Sequence, residues 1–262
     1  MKRRSECALI TGASTGLGRE FARLAAADGY DLILVSRDAQ RLEAVASELQ
    51  RDTSVDVMTN PCDLSVAGAA PALYSQVKSR GRTVDILINN AGFGKLGYFS
   101  QHDADDIASM IQTNVTALTL LTRLFLDDML ARKHGKILNV ASLAAYTPGP
   151  LMAVYHATKS YVLALTEAVA EEVRGSGVSA TVLVPGITRT EFQARAGIPP
   201  ASVERGAMSA AAVARAGYHA MLDGKTVCVA GMGNRVLGFL AHHAPHSISL
   251  RVAHTMQRKL LR

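Results

Sequence analysis

The 262-residue sequence contains no tryptophan, and aromatic residues make up only 5% of it. Hydrophobic residues still account for 48% and charged residues for 19%, so the chain can bury a large core built mainly of Ala, Val, Leu and Ile. This composition excludes global disorder. A chain of this length can also fold as a single α/β domain.

Cysteine is scarce as well, since Cys7, Cys62 and Cys228 are the only three and none belongs to a C-x-x-C pair. We expect reduced thiols, which favours a cytoplasmic location. No uncharged segment is long enough to span a bilayer, so we expect no transmembrane helix. The apolar run near the basic N-terminus is broken by Gly12 and is too short for a signal peptide.

The formal net charge is +6, yet the basic residues are dispersed except in the C-terminal tail. Zinc-finger spacing and the aromatic-plus-basic pattern of RNA-binding domains are both missing, so we expect no nucleic-acid partner. His242, His243 and His246 cluster in the tail, but no carboxylate or cysteine nearby completes a ligand set. We therefore expect no metal site.

Short apolar segments alternate with longer amphipathic segments along the chain. Several short segments are apolar at successive residues, which is typical of strands covered on both faces. The alternation predicts right-handed βαβ units and a mainly parallel sheet between two helix layers. The predicted strands are 7–11, 31–36, 55–60, 85–90, 136–142, 178–185 and 226–231. The predicted helices are 17–28, 39–51, 67–80, 104–133, 154–175 and 210–222, with a break left open inside 104–133.

No linker-like composition divides the chain, so we expect one domain over 1–231 and a helical extension over 232–262. Segment 187–208 has turn formers and no firm periodicity, which is typical of a lid. The extension could pack on its own domain or on a second subunit, or contact an anionic membrane or an apolar substrate. Its apolar residues recur at Ile248, Val252, Met256 and Leu260, with Arg251, Arg258, Lys259 and Arg262 among and beyond them.

The stretch "TGASTGLG" (11–18) places Gly12, Gly16 and Gly18 between the first predicted strand and the first predicted helix. Glycines allow a sharp turn and the close approach of a pyrophosphate, and the start of a helix offers unpaired N–H groups. A glycine-rich turn without a ligand would share the pattern. The strand before it and the helix after it favour a dinucleotide site.

The second predicted strand ends in Ser36-Arg37-Asp38, where a dinucleotide fold contacts the adenosine ribose. An acidic residue there would bind a 2′-hydroxyl, whereas an arginine accommodates a 2′-phosphate. Asp38 can turn away as the N-cap of the next helix. We therefore favour Arg37 as the reader of a 2′-phosphate, and NADP(H) ahead of NAD(H), although Arg37 could also be an ordinary surface charge.

Seven pieces of sequence together resemble the short-chain dehydrogenase/reductase family, over residues 7 to about 231. They are "TGASTGLG" (11–18), "DL" (63–64), "NNAG" (89–92), Asn114, Ser142, "YHATK" (155–159) and "PGITRT" (185–190). The resemblance implies a Rossmann-type doubly wound fold with a seven-stranded sheet. It also implies reversible hydride transfer between a nicotinamide and a carbonyl or alcohol.

The resemblance assigns roles to four residues. Tyr155 would be the general acid in reduction and the base in oxidation, and Ser142 would hydrogen-bond the substrate oxygen. Lys159 would bind the nicotinamide ribose and lower the pKa of Tyr155, while Asn114 would hold a water linking Lys159 to solvent. Independently, a spacing of four places Tyr155 and Lys159 on one helical face, where an ammonium favours a phenolate. A buried tyrosine beside a solvated lysine is the alternative.

The remaining expectations concern ligands and partners. The implied cofactor-binding residues are Gly12, Ser14, Thr15, Gly16, Leu17, Gly18, Ser36, Arg37, Asp63, Leu64, Asn90, Ala91, Gly92, Tyr155, Lys159, Pro185, Gly186, Thr188 and Thr190. The candidate substrate pocket is Phe93, Gly94, Leu143, Ala144, Met152, Ile187 and the lid segment 190–208, which is mostly uncharged and predicts an apolar carbonyl or alcohol substrate.

The C-terminal tail replaces the "DGG" ending of many family members, a terminus that often builds a tetramer. We therefore expect a homo-oligomer, with a dimer ahead of a tetramer. A non-enzymatic NADP(H)-binding scaffold or redox-sensing regulator is the alternative function. Such a protein would be expected to carry a damaged Asn–Ser–Tyr–Lys set, and the set is complete in this sequence.

Overall fold

The computed structural model describes residues 6–199, 206–243, 250–251, 253–255 and 258. The strands are β1 (Cys7–Thr11), β2 (Asp31–Ser36), β3 (Val57–Pro61), β4 (Ile86–Asn89), β5 (Gly135–Val140), β6 (Val178–Val184), β7 (Thr188–Arg189), β8 (Met208–Ser209) and β9 (Val227–Val229). The helices are α1 (Gly16–Ala27), α2 (Ala39–Asp52), α3 (Ala69–Ser79), α4 (Ala104–Ile111), α5 (Leu118–Arg132), α6 (Ala153–Glu172), α7 (Phe192–Arg195), α8 (Ala210–Leu222) and α9 (Met232–His243).

Seven strands form one parallel sheet in the order β3-β2-β1-β4-β5-β6-β9, which confirms the doubly wound α/β fold. Successive residues of β1 supply the two cores in turn. Ala8 and Ile10 pack with Phe21 of α1 on one side, while Leu9 packs with Phe125 of α5 on the other. Burial on both faces explains why the central strands are continuous apolar runs.

The order of strands creates a crevice between β1 and β4. The chain proceeds outward from β1 to β2 and β3 in one direction and from β4 to β5 and β6 in the other. Ligands of doubly wound folds bind at such a switch point, beyond the carboxyl ends of the strands. The segments after β1 (from Gly12) and after β4 (from Asn90) meet there, so the topology alone brings two predicted motifs together.

Three regions differ from the sequence expectations. The helix predicted over 104–133 is continuous, but its centre is a π-helical turn, Gln112–Ala117, between α4 and α5. The lid segment contains α7 and a two-stranded parallel pair, β7 with β8, and its residues 200–205 lie outside the described part. The extension begins with α9, whereas its predicted residues Ile248, Val252, Met256, Lys259, Leu260 and Arg262 lie outside the described residues.

Candidate active site

The glycine-rich loop after β1 is held against the turn after β4 by Asn90. Its Nδ2 atom donates to the carbonyls of Thr11 (2.9 Å) and Gly12 (3.2 Å). Gly12 has a φ of +64°, and a Cβ placed on Gly18 would lie 2.1 Å from the carbonyl oxygen of Gly12. Side chains are therefore excluded at both glycines, and the loop leaves a cradle in front of the first turn of α1, where backbone N–H groups can receive phosphate.

The end of β2 carries the predicted ribose contacts. The Asp38 carboxylate accepts the backbone N–H of Arg41 (3.0 Å) and caps α2, which confirms the expected N-cap. Arg37 is exposed at the rim of the cavity. Ser36 donates from its hydroxyl to that of Ser14 (2.8 Å) and so joins this rim to the glycine-rich loop. The acidic group is thus occupied by the helix, and Arg37 is one of the residues that line the cleft.

The catalytic candidates converge at the carboxyl end of β5. Ser142 follows this strand, and its Oγ accepts the backbone N–H of Ala144 (3.2 Å). Tyr155 and Lys159 lie one turn apart on α6, with the Nζ of Lys159 5.8 Å from the centroid of the Tyr155 ring. That ammonium also donates to the Val140 carbonyl (2.7 Å), which fixes it beneath the cavity. Lys159 is only 5% exposed, so the alternative of a solvated lysine is wrong.

Burial dominates the protonation of this pair. Desolvation raises the pKa of Tyr155 to about 12, and a hydrogen bond with Ser142 opposes that rise. Desolvation also lowers the pKa of Lys159 to about 8. Removal of the phenolate from water is the largest effect on the pKa of Tyr155, and the lowering of that pKa by Lys159 stays a prediction. At neutral pH, Tyr155 is a phenol beside a largely protonated lysine.

Asn114 lies in the π-helical turn and is fully buried. Its Oδ1 accepts the Phe93 N–H (3.0 Å), and its Nδ2 donates to the Phe93 carbonyl (2.8 Å) and to Thr158 Oγ1 (3.1 Å). The side chain thus connects the turn after β4 to α6, next to Tyr155 and Lys159. A Cβ placed on Gly92 would meet both Asn114 Oδ1 (3.0 Å) and Lys159 Nζ (3.4 Å). Asn114 therefore positions the site, while its predicted role in holding a water stays a prediction.

The segment after β6 forms the opposite wall of the cleft. The Pro185 carbonyl accepts the Leu143 N–H (2.8 Å), which ties this segment to the residues after Ser142. Thr190 faces the glycine-rich loop, since a Cβ on Gly16 would lie 3.1 Å from its methyl group. Phe192 of α7 packs its ring 5.2 Å from that of Tyr155, measured between centroids. The start of the lid thus closes one side of the reaction centre.

These parts surround one cavity of about 970 Å³. Every predicted cofactor-binding residue lines it except Gly18, which lies behind Gly12, and Ser142 lines it too, while Asn114 lies behind the wall. The candidate pocket residues line it as well, apart from Gly94, which packs beneath Tyr155. The lid contributes Thr190, Glu191, Phe192, Gln193, Arg195 and Ile198.

Sequence reasoning missed one wall of this cavity. Leu237, Leu240 and Ala241 of α9, together with Ala253, line it from the C-terminal extension. α9 is fixed there because Gly238 has no side chain beside Tyr146, where a Cβ would lie 3.0 Å from the ring. The extension therefore packs on its own domain, and the apolar spacing of "VLGFLA" was the signal that could have found it.

Comparison with known proteins agrees with this geometry. A family model described as short chain dehydrogenase matches residues 6–198. The chain belongs to the short chain dehydrogenase family, a family of oxidoreductases. It is 38% identical to the sulfoacetaldehyde reductase of Chromohalobacter salexigens over 72% of this chain and 74% of that protein. Other curated relatives are matched over 52–61% of their own length.

Solved structures match over nearly the whole chain. A short-chain dehydrogenase from Sphingobium yanoikuyae in complex with NADPH is 31% identical, with a TM-score of 0.81 over 98% of this chain and 96% of that one. A family member from Burkholderia phymatum in complex with NAD is 26% identical, with a TM-score of 0.81 over 92% of this chain and 94% of that one. The neighbours thus include binders of both pyridine nucleotides.

Two further observations bear on the sequence expectations. Within the described residues, each helix is too short or too polar to cross a bilayer. The same part of the chain holds no group of three His, Cys, Asp or Glu side chains that could bind a metal ion, and His246 lies outside it. Cys7, Cys62 and Cys228 form no disulfide with one another.

Proposed function

We propose that the protein is an NADP(H)-dependent oxidoreductase that interconverts a carbonyl and an alcohol, with Tyr155 as general acid and base. The observation that carries the proposal is the convergence of Ser142, Tyr155 and Lys159 in the same cavity as the glycine-rich cradle. The loop can form this cradle because no side chain fits at Gly12 or Gly18, where a Cβ would meet Asn90 or the Gly12 carbonyl, and the start of α1 offers N–H groups to a phosphate. A bound nicotinamide would supply or accept the hydride there.

The residues of the chain account for the proton side of the reaction. The Tyr155 phenol gives its proton to the developing alkoxide, and Ser142 donates a hydrogen bond that strengthens as negative charge develops. Lys159 stabilises the resulting phenolate through its ammonium, and an ammonium has three donors, of which one is already held by Val140. The other donors suit ribose hydroxyls. Asn114 joins the turn after β4 to α6 and so fixes their relative positions next to this site.

The preference for NADP(H) rests on the end of β2. Arg37 lies at the cavity rim with its side chain exposed, and the nearby Asp38 carboxylate is occupied by the N-terminus of α2. A guanidinium is a strong, charge-assisted partner for a 2′-phosphate. The structural relative in complex with NADPH is consistent with this choice, although NAD is bound by another.

The substrate we propose is an apolar ketone, aldehyde or 3-oxoacyl compound. The part of the cavity beside Tyr155 is lined by Phe93, Leu143, Met152, Ile187, Phe192, Ile198, Leu237 and Leu240. These side chains favour apolar surface around the reacting carbonyl. Some relatives are named for steroids or very-long-chain 3-oxoacyl-CoA and another for sulfoacetaldehyde, a small polar compound, so the choice rests on the apolar lining of the cavity.

The test is the oxidation of NADPH, followed by absorbance, with a panel of aliphatic ketones, steroid ketones and 3-oxoacyl thioesters. Tyr155→Phe should lower turnover by roughly two to four orders of magnitude, because the acid is lost. Tyr161→Phe on the same helix, whose hydroxyl lies 3.1 Å from that of Thr119, is the matched control. Equal turnover of both variants would refute the role of Tyr155, and binding of NADPH with no turnover of any carbonyl would favour the alternative of a non-enzymatic scaffold or regulator.

We also infer a cytoplasmic location from three cysteines that form no disulfide, and a homodimer from the exposed apolar residues of the helix pair α4 and α6. Ile111 is 42% and Tyr161 40% exposed on these helices. Contact through this face would leave α9 free. Sedimentation equilibrium of the purified protein measures the oligomeric state, and a tetramer would contradict the inference.

A further inference from the structure

The basic residues that give the protein its net charge lie towards the C-terminal end, five of the six in the extension itself. Asp223 is the last acidic residue, six Lys and Arg residues follow it, and the chain as a whole has a net charge of +6. The chain up to Asp223 is therefore neutral overall, with 22 charged residues of each sign. In the described part of the extension, Arg235, Arg251 and Arg258 are all exposed. The positive field of the protein thus originates at one end of the chain.

Helix α9 in this extension is apolar on two sides. Its inner side, with Leu237 and Ala241, lines the cavity. Its outer face, defined by Met232, Val236 and Phe239, follows a spacing of four and three residues and so forms one stripe along the helix. These outer side chains are 71%, 55% and 63% exposed. Leu237 and Leu240 are also 53% and 59% exposed, so α9 presents apolar side chains to solvent from the rim of the cavity to the outer face, with Arg235 beside them.

We propose that the outer face of α9 docks on the surface of a lipid bilayer that contains anionic lipids. An apolar stripe of this kind inserts at the boundary of headgroups and acyl chains, and flanking arginines attract anionic headgroups. Arg235 lies on α9 itself, next to Val236. With 12 residues, α9 is far shorter than the roughly 20 residues that span a bilayer, so it lies in the surface.

A second copy of the chain is the competing occupant, and charge argues against it. Two copies meeting through α9 would bring together two extensions that contain basic residues and no acidic residue. Like charges oppose such a contact, whereas an anionic surface supplies the opposite charge. Charge complementarity therefore favours the bilayer.

Docking would also place the cavity beside the lipid, because α9 forms one of its walls. An apolar carbonyl dissolved in the bilayer could then reach Tyr155 along α9. This consequence rests on the proposed function. The docking itself does not, since it depends only on the outer face and on the basic residues.

The test is co-sedimentation of the full-length protein with vesicles of phosphatidylcholine containing about one-third phosphatidylglycerol. We expect binding that weakens on pure phosphatidylcholine and in about 1 M salt, where charges are screened within about 3 Å. The double variant Val236→Ser, Phe239→Ser should bind at least roughly tenfold more weakly, because two inserting side chains are lost. The control, Val66→Ser with Phe99→Ser, changes residues of matched exposure, 57% and 61%, outside the extension and should bind like the unmodified protein.

Several results would overturn the proposal. One is the absence of binding to anionic vesicles, and another is equal binding to both lipid mixtures at low salt. Equal binding by the Val236→Ser, Phe239→Ser variant and the control would also refute it. If that variant instead dissociates an oligomer in sedimentation velocity, the outer face belongs to a second copy. NADPH titration and carbonyl reduction without vesicles test the proposed function separately, and both double variants should retain them.

Discussion

Replacing Lys159 by methionine should stabilise the fold while it abolishes efficient turnover. The side chain is 5% exposed, and burial lowers its pKa from 10.5 to about 8. At about 1.4 kcal/mol per pKa unit, holding the charged form in the folded protein costs about 3 kcal/mol at neutral pH. Methionine has a similar length and no charge, so the substitution removes that penalty.

The loss of one hydrogen bond in the variant reduces this gain in stability. Lys159 donates to the Val140 carbonyl at 2.7 Å, and leaving a buried acceptor unpaired costs about 1–3 kcal/mol. We therefore expect Lys159→Met to raise the free energy of unfolding at pH 7 by about 1 kcal/mol. Turnover should fall, because the phenolate of Tyr155 loses its neighbouring ammonium.

The pH dependence of the stability difference between Lys159→Met and the unmodified protein follows from proton linkage. Below pH 8 both the folded and the unfolded protein hold the Lys159 proton, so the penalty is fully present. Between pH 8 and 10.5 only the unfolded state holds it, and the unmodified protein becomes more stable relative to the variant as pH rises. The stability gain of Lys159→Met should therefore shrink, and then reverse, on going from pH 7 to pH 10.

The assay is urea unfolding followed by circular dichroism at both pH values, without ligand. Lys136→Met is the matched control, since Lys136 Nζ also donates to a backbone carbonyl, that of Leu222 at 2.9 Å, but is only partly buried. A Lys159→Met variant less stable than the unmodified protein at pH 7, with a gap that does not change at pH 10, would refute the reasoning. It would show that Lys159 is paired with a Tyr155 phenolate in the resting protein.

Three further predictions address the cofactor, the substrate and the lid. Arg37→Ala should weaken NADPH binding by roughly ten- to a hundredfold in calorimetry, with little change for NADH, whereas Arg51→Ala should change neither; equal binding of both nucleotides to the unmodified protein would contradict the role of Arg37. Ser142→Ala should lower turnover by about a hundredfold with NADPH affinity nearly intact, as measured by steady-state kinetics and titration, and a parallel loss of affinity would place Ser142 in the cofactor site instead. Amides of segment 190–199 should exchange with deuterium faster than those of α6 in ligand-free protein, and protection equal to that of α6 would exclude a mobile lid.

The sheet could be predicted from the sequence because burial on both faces leaves a local signal. The bounds of β1 and β2 match the predicted segments 7–11 and 31–36, where every central position is buried. At the sheet edge the signal weakens. β3 runs from Val57 to Pro61 instead of 55–60, and a proline can end it because one side of an edge strand has no partner.

The site was predictable as a set of motifs, but its electrostatics were not. The order of Ser142, Tyr155 and Lys159 in the sequence gave their roles by resemblance, while their pKa values depend on burial that only the packed structure provides. The π-helical turn at Asn114 has the same reason. No local pattern within 104–133 marks this turn, which coincides with the bonds from Asn114 to Phe93 and Thr158.

The two buried groups are set for proton donation at neutral pH. Burial raises the pKa of Tyr155 to about 12 and lowers that of Lys159 to about 8, so the resting pair is a phenol and an ammonium below pH 8. A phenol can donate its proton at once to a carbonyl oxygen, whereas oxidation of an alcohol needs the phenolate first. Because burial stabilises the phenol and not the phenolate, the ligand-free site is ready to act as an acid, and its action as a base needs deprotonation first. The rate of alcohol oxidation should rise only at pH values that populate the Tyr155 phenolate. At those pH values Lys159 has already lost the charge that would stabilise the phenolate.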